Sequence, residues 1–127
     1  MAEYPIYVVQ KACRVALAAN AENFFLYKAM PGERIIACDV QKTTLAAAST
    51  NSDFTVGDAT DPDGFATAVD TEAGTAADWV NNSGAYLTDS GGKLYTAETT
   101  IYATYTPNST PGATAPEVLV RLWVAKD

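Results

Sequence analysis

The stretch EVLVRLWVA, residues 117–125, has the clearest strand pattern in the chain and decides the fold class. One set of alternate positions is entirely apolar: Val118, Val120, Leu122 and Val124. Side chains two positions apart on a strand point to the same side, so these residues predict one buried face of a sheet. The opposite face is not fully polar either, since it carries Leu119, Arg121 and Trp123.

Similar short segments, rich in β-branched and aromatic residues, recur along the chain at a spacing of roughly ten residues. They cover residues 4–10, 12–18, 23–29, 34–45, 53–57, 64–70 and 93–106. Three further sets of alternating residues predict buried faces: Cys13, Val15 and Leu17; Ile36, Cys38 and Val40; and Ile101, Ala103 and Tyr105.

The remaining segments predict turns and loops rather than helices of ordinary length. Residues 71–92 are rich in Gly, Ala, Asn, Ser and Asp, which favours a long ordered loop with one short strand or a helical turn. No segment shows a convincing 3.6-residue apolar period. The pattern therefore predicts an all-β protein: a single antiparallel β-sandwich domain over residues 1–127, of jelly-roll type, with long ordered loops.

The charge distribution is strongly uneven. The net charge is −7, and residues 43–92 hold eight acidic residues and no Lys or Arg. The rest of the chain has eight basic and seven acidic residues, so all of the net negative charge lies in the middle segment. Such a segment favours a solvated face and repels nucleic acid, which we do not expect as a partner.

The sequence offers no sign of membrane insertion or of common catalytic chemistry. Its apolar runs are too short to cross a bilayer, and its start has Glu3 but no basic region typical of a secretory signal. The chain has no His, which excludes Ser-His-Asp and Cys-His triads. It also has no glycine-rich phosphate-binding motif. We therefore expect neither an enzyme nor a cofactor.

The two cysteines, Cys13 and Cys38, do not match a zinc-binding spacing. Each lies inside an apolar strand-like run, which predicts two buried free thiols. A disulfide between them stays open at this point.

The acidic stretch TVGDATDPDGF, residues 55–65, raises the question of calcium binding. An EF-hand register fails, because it places Ala59 at the first ligand position and no amphipathic helices flank the loop. Another geometry built on Asp58, Asp61 and Asp63 remains an alternative, as does a sugar-binding domain or hydrolase that uses these aspartates. The simpler interpretation is a turn at residues 61–64, where Pro fixes φ and Gly tolerates positive φ.

Several strands have apolar or aromatic residues on both faces. Central strands covered by loops would explain this pattern, and so would a subunit interface. The residues that we select as interface candidates are Tyr4, Ile6, Phe25, Tyr27, Leu119 and Trp123.

Four segments resemble small structural proteins of tailed phages: PIYVVQK, DFTVGDATDPDGF, GKLYTAETTIYATYT and VRLWVAKD. That group shows a VGDGTDPDG-like stretch, a YTAADTI-like strand and an alternating valine run near the C-terminus. The resemblance extends from about Pro5 to Ala125 and is most specific at residues 56–64. The sequence departs from the group's pattern at Ala59, where Gly is expected.

The resemblance implies a jelly-roll capsid decoration (cement) protein. Such proteins commonly form trimers on the outer surface of the capsid and brace neighbouring capsomers. For this chain it implies synthesis in the host cytoplasm, a place on the virion, the major capsid protein as partner and a homotrimeric state. The alternative function is a receptor-binding or tail-fibre head module that recognises a host-surface glycan, since jelly-roll knobs with surface aromatics serve that role as well.

Overall fold

The computed structural model describes residues 5–46, 52–71, 79–107 and 114–126. Its strands in chain order are β1 (Ile6–Arg14), β2 (Glu22–Ala29), β3 (Glu33–Thr44), β4 (Asp53–Gly57), β5 (Ala66–Asp70), β6 (Trp79–Asn81), β7 (Lys93–Leu94), β8 (Thr99–Thr106) and β9 (Glu117–Lys126). One helix, α1 (Ala85–Thr88), lies between β6 and β7. In the described part of the chain, no helix is long and apolar enough to cross a membrane.

The strands form two antiparallel sheets. The first sheet has the order β1-β9-β3-β6, with β7 also paired to β3, and the second sheet has the order β2-β8-β4-β5. The pairs are nested, because β1 pairs with β9, β2 with β8, β3 with β6 and β7, and β4 with β5. The chain is thus a long hairpin whose arms alternate between the sheets. This is the jelly-roll arrangement, so the predicted all-β sandwich is confirmed.

The core lies between the two sheets. All four alternating residues of β9 predicted to be buried are at most 1% exposed, and Ile101, Ala103 and Tyr105 of β8 are fully buried. Phe54 of β4 packs against Tyr105, with ring centroids 5.4 Å apart. Full burial of one large apolar side chain stabilises a fold by about 1.5–3 kcal/mol, so these inner faces hold the sheets together.

The prediction for residues 12–18 was wrong about Leu17. The segments at 4–10 and 12–18 form one strand, β1, which ends at Arg14. The backbone N–H of Val15 then donates to the Pro116 carbonyl, and Leu17 accepts a turn hydrogen bond from Asn20. Leu17 therefore lies beyond the sheet and is 62% exposed, whereas Cys13 and Val15 are buried as predicted.

The prediction that Ile36 shares a face with Cys38 and Val40 was also wrong. The pairing of β3 with β9 shifts register between Ile35 and Ala37. This β-bulge inserts one residue and reverses the alternation, so that Ile35 is fully buried and Ile36 only partly. A strict two-residue period cannot reveal such an insertion.

The region predicted as a long loop contains both of the elements that were offered as alternatives. Residues 79–81 form β6 and residues 85–88 form α1, whereas residues 72–78 lie outside the described ranges. The helix begins after Gly84, whose carbonyl accepts hydrogen bonds from the N–H groups of Leu87 and Thr88.

The two cysteines are free and buried, as predicted. Both side chains are fully enclosed between the sheets. Burial raises the pKa of the Cys13 thiol to about 12 and raises the pKa of Cys38 as well. Both therefore behave as small apolar core residues at neutral pH.

Candidate functional site

The acidic stretch 55–65 is organised around the buried carboxylate of Asp58. Asp58 follows β4 directly and is only 2% exposed. Its Oδ1 accepts hydrogen bonds from the backbone N–H groups of Thr60 and Asp61, at 3.0 and 2.9 Å. Its own N–H donates to the carbonyl of Asp61 at 3.1 Å. These bonds fold the chain into a closed turn in which the aspartate side chain replaces a backbone acceptor.

Three tyrosines from distant parts of the chain converge on the same aspartate. Tyr95 donates its hydroxyl to Asp58 Oδ2 at 2.6 Å, and Tyr86 donates to Oδ1 at 3.2 Å. Tyr102 of β8 donates to the Asp58 carbonyl oxygen at 3.3 Å. Burial and the nearby Asp58 carboxylate raise the pKa of Tyr86 to about 12 and also raise the pKa of Tyr95. The hydroxyls therefore remain protonated donors.

Glycines allow this turn to pack closely. A Cβ at Gly57 would overlap the Asp61 carbonyl oxygen, and a Cβ at Gly64 would overlap the ring of Tyr86. Ala59, where the resemblance to phage proteins leads us to expect Gly, is exposed and is not among the described non-glycine residues with positive φ. Alanine is therefore tolerated at position 59. Residues 55–65 as a whole form a packed junction of the fold.

The three calcium candidates do not form a ligand cluster. No group of three or more Asp, Glu, Cys or His side chains within the described ranges is arranged to hold a metal. Both carboxylate oxygens of Asp58 already accept protein hydrogen bonds, and Asp63 is exposed. A hydrogen bond with Asp63, together with burial, raises the pKa of Asp61. A cleft of about 180 Å³ borders this site, and its lining includes Asp58, Tyr86, Lys93 and Tyr95.

A second buried carboxylate, that of Glu33, joins three strands. Glu33, the first residue of β3, is 3% exposed. It accepts hydrogen bonds from the hydroxyl of Tyr7 on β1, from the hydroxyl of Tyr27 on β2 at 2.8 Å, and from the N–H of Met30 at 2.7 Å. Burial opposes ionisation of Glu33, but these hydrogen bonds outweigh it and lower its pKa. The cluster ties the first sheet to the second.

The interface candidates fall on different surfaces. Leu119 and Trp123 of β9 lie on the outer face of the first sheet. Ile6 of β1 lies on the same face, because it pairs with Ala125 of β9. Phe25 is paired with Tyr102 on the outer face of the second sheet and is 53% exposed. Tyr27 is half-buried in the Glu33 cluster. Tyr4 lies outside the described residues.

On the outer face of the first sheet, an arginine contacts two tryptophans. The sequence alone did not predict this cluster. The Arg121 guanidinium lies 4.0 Å from the ring centre of Trp79 and 5.2 Å from that of Trp123. It also forms an ion pair with Asp39 on β3, with Nη2 and Oδ2 3.5 Å apart. Alternation alone could place Arg121 beside Trp123, but Trp79 reaches them only through the pairing of β6 with β3.

Comparison with known proteins identifies the fold. No protein-family model matches the sequence, and no curated protein matches it either. Two phage capsid structures contain chains with this fold. One is the capsid asymmetric unit of cyanophage Pam1: the match has 16% identity and a TM-score of 0.70, and covers 98% of this chain and 86% of that one.

The other match is to a chain in the acidic stable capsid structure of Helicobacter pylori bacteriophage KHP30. It has 11% identity and a TM-score of 0.69, and covers 94% of this chain and 86% of that one. At these identities the likeness concerns the fold. It extends over nearly the whole chain.

Proposed function

We propose that this protein is a non-enzymatic structural component of a tailed-phage virion. In this proposal it is a decoration (cement) protein on the outer capsid surface, bound to the major capsid protein as a homotrimer. The observation that carries the proposal is the near full-length fold match to chains from two phage capsid structures. The resemblance of residues 56–64 to small phage structural proteins points in the same direction.

The geometry of the most acidic site supports a structural role. In an enzyme, a carboxylate poised for acid–base work must reach the substrate. Here the Asp58 carboxylate instead binds two backbone N–H groups and two tyrosine hydroxyls of its own chain. The carboxylate links the end of β4 to α1 through Tyr86 and to the segment before β8 through Tyr95, so this site stabilises the fold.

A cement protein acts by mass action. It binds the assembled shell more tightly than it binds free or partly unfolded subunits, and so it shifts the equilibrium toward the intact shell. A trimer that contacts several capsomers converts modest single-site affinities into a long residence time, because the second and third contacts are intramolecular.

The test is the composition of the virion. Purified particles of the phage that encodes this chain should contain it in a copy number comparable with that of the major capsid protein. Particles made without its gene should lose their genome at a lower temperature, and purified protein added back should restore their stability. A few copies confined to the tail would contradict the proposal.

A receptor-binding module is the second candidate, and the half-exposed tryptophans of the first sheet favour it. Flat aromatic rings stack on sugars, and Trp79 and Trp123 lie on one outer face. This function predicts that the free protein binds a glycan or a host envelope and inhibits phage adsorption. A glycan array without hits, together with unchanged adsorption, would exclude it.

A further inference from the structure

The outer face of the first sheet has an unusual composition. By the strand register it includes all three arginines of the chain and both tryptophans: Arg14, Arg34, Arg121, Trp79 and Trp123. None of the five lysines lies on this face by the same register. Trp and Arg are enriched in the residues that dominate binding at protein interfaces, and Lys is depleted there.

The edge of this face is apolar and exposed. β1 is the edge strand of the first sheet, and its outward residues Ile6 and Val8 are 57% and 48% exposed. Val8 stands opposite Trp123, so the apolar edge continues directly into the tryptophan and arginine cluster. An exposed apolar strip of this kind marks an association surface.

The arginine at the centre of the face is held in one position by its neighbours. Stacking on Trp79 and the ion pair with Asp39 fix the Arg121 guanidinium in place. Its Nε–H is buried and is the one buried side-chain polar group without a hydrogen-bond partner in the described part of the chain. A side chain that is already fixed loses little entropy on binding, which favours tight association.

The outer face of the second sheet is different in kind. By register it carries four threonines, at positions 55, 100, 104 and 106. Two polar pairs on this face are formed within the chain: Thr104 donates to Asn23 at 2.9 Å, and Lys28 pairs with Glu98 at 2.9 Å. Apart from Phe25 and Tyr102, the outward residues of the paired strands are thus mainly polar, as expected of a sheet face that remains in water.

We propose that the protein docks on the phage shell through the outer face of the first sheet and leaves the second sheet toward solvent. The docking face holds Ile6, Val8, Arg14, Arg121 and Trp123, and its partner is an apolar patch of the major capsid protein that presents carboxylates. The proposal rests on the proposed function and deepens it by assigning the contact surface.

Charge favours the shell over a second copy of this chain as the occupant. By register the face has three arginines against two acidic residues, Asp39 and Glu117, a net charge of +1, so a surface that presents carboxylates complements it better than a second copy of the same face does. In a head-to-tail contact, the first sheet of one copy would pack on the second sheet of another copy, and its arginines would need carboxylates there. The two that its strand pairing places outward, Asp53 and Asp70, already interact within the chain.

The experiment compares matched substitutions on the two outer faces. Val8→Glu is paired with Phe25→Glu, because these apolar residues are 48% and 53% exposed. Arg14→Glu is paired with Lys28→Glu, since both are exposed cations on β1 and β2. Each purified variant is checked by thermal unfolding and titrated onto shells assembled without this gene, and bound protein is measured by sedimentation.

We expect Val8→Glu and Arg14→Glu to weaken shell binding by about tenfold or more, and Phe25→Glu and Lys28→Glu to change it by less than about threefold. Equal effects on both faces, or larger effects from the second sheet, would overturn the assignment. A change in oligomeric mass with unchanged shell binding would instead make this face a contact between copies. Failure of the unmodified protein to bind shells would refute the proposed function itself.

Discussion

At the scale of single residues, the most informative position is Asp58. Its carboxylate accepts two backbone and two tyrosine hydrogen bonds in a site that is almost closed to solvent. If the acceptor is removed, the buried donors remain desolvated without a hydrogen bond. The free-energy cost of breaking the network therefore exceeds the sum of the net contributions of its hydrogen bonds.

Asp58→Ala should therefore lower the free energy of unfolding by about 2–4 kcal/mol, measured by urea denaturation. Asp63→Ala is the matched control in the same stretch, since Asp63 is exposed, and it should change stability by less than about 0.5 kcal/mol. Equal effects of the two substitutions would show that the buried network contributes nothing particular to the fold.

The sequence could place a turn at residues 61–64 but could not assign the role of Asp58. The Pro-Asp-Gly pattern is local, and the turn residues are visible in it. The partners of Asp58 are Tyr86, Tyr95 and Tyr102, which are 28 to 44 positions away. Only the fold brings these tyrosines to Asp58. Without them, the sequence presents the Asp58 carboxylate as a possible metal ligand.

At the scale of elements, β9 shows how the two faces of one strand differ in function. Leu122 faces the core and is 1% exposed, whereas Leu119 is half-buried on the outer face. Leu122→Ala should destabilise the protein by about 2–5 kcal/mol through lost burial and a cavity. Leu119→Ala should cost less than about 1 kcal/mol. Chemical denaturation of both variants measures the contrast, and similar losses would contradict the assigned faces.

The Glu33 cluster links β1, β2 and β3 and predicts a specific dependence of stability on pH. Because the folded-state pKa of Glu33 is lowered below 4.5, its contribution is present above that value and is lost as pH falls through the lowered pKa. The stability difference between the unmodified protein and Glu33→Gln should therefore be largest near neutral pH and shrink below about pH 4.5. A difference that does not vary between pH 3 and pH 7 would refute this assignment.

Strand alternation was sufficient to predict β8 and β9 but not the full length or phase of β1 and β3. In β8 and β9 every second residue is apolar and buried. Their pairings with β2 and β3 do contain register shifts, but the extra residues lie on β2 and β3, so the period of β8 and β9 is preserved. In β3 the bulge at Ile36 shifts the phase, and β1 ends where the chain turns to reach Pro116. Such local deviations are set by packing between strands, and the spacing of apolar residues in the sequence does not reveal them.

At the scale of the whole molecule, the two buried thiols report on opening of the sandwich. Burial keeps the Cys13 thiol protonated at pH 8, since its pKa is about 12, and shields the sulfur from reagents. A thiol reagent should therefore modify neither cysteine rapidly in the native protein, and both should react together in denaturant. Fast modification of one thiol under native conditions would show that its part of the sandwich opens independently.

The basic residues are concentrated in the first sheet, which the sequence indicated only in part. Seven of the eight basic residues lie on strands of the first sheet: Lys11, Arg14, Arg34, Lys42, Lys93, Arg121 and Lys126. The basic-free interval in the sequence reveals where positive charge is missing. Only the nested pairing shows that both ends of the chain contribute to one sheet and so concentrate the positive charge there.

The position of β9 has a consequence for biosynthesis. β9 lies between β1 and β3 in the first sheet, and it is translated after both of them. Until residues 117–126 have emerged from the ribosome, the strand that pairs with both β1 and β3 is missing. The first sheet cannot form, and the apolar inner residues of β1 and β3 stay uncovered. The first sheet can therefore form only after β9 has been translated, and chaperones that shield the apolar residues of β1 and β3 until then should raise the yield of folded protein.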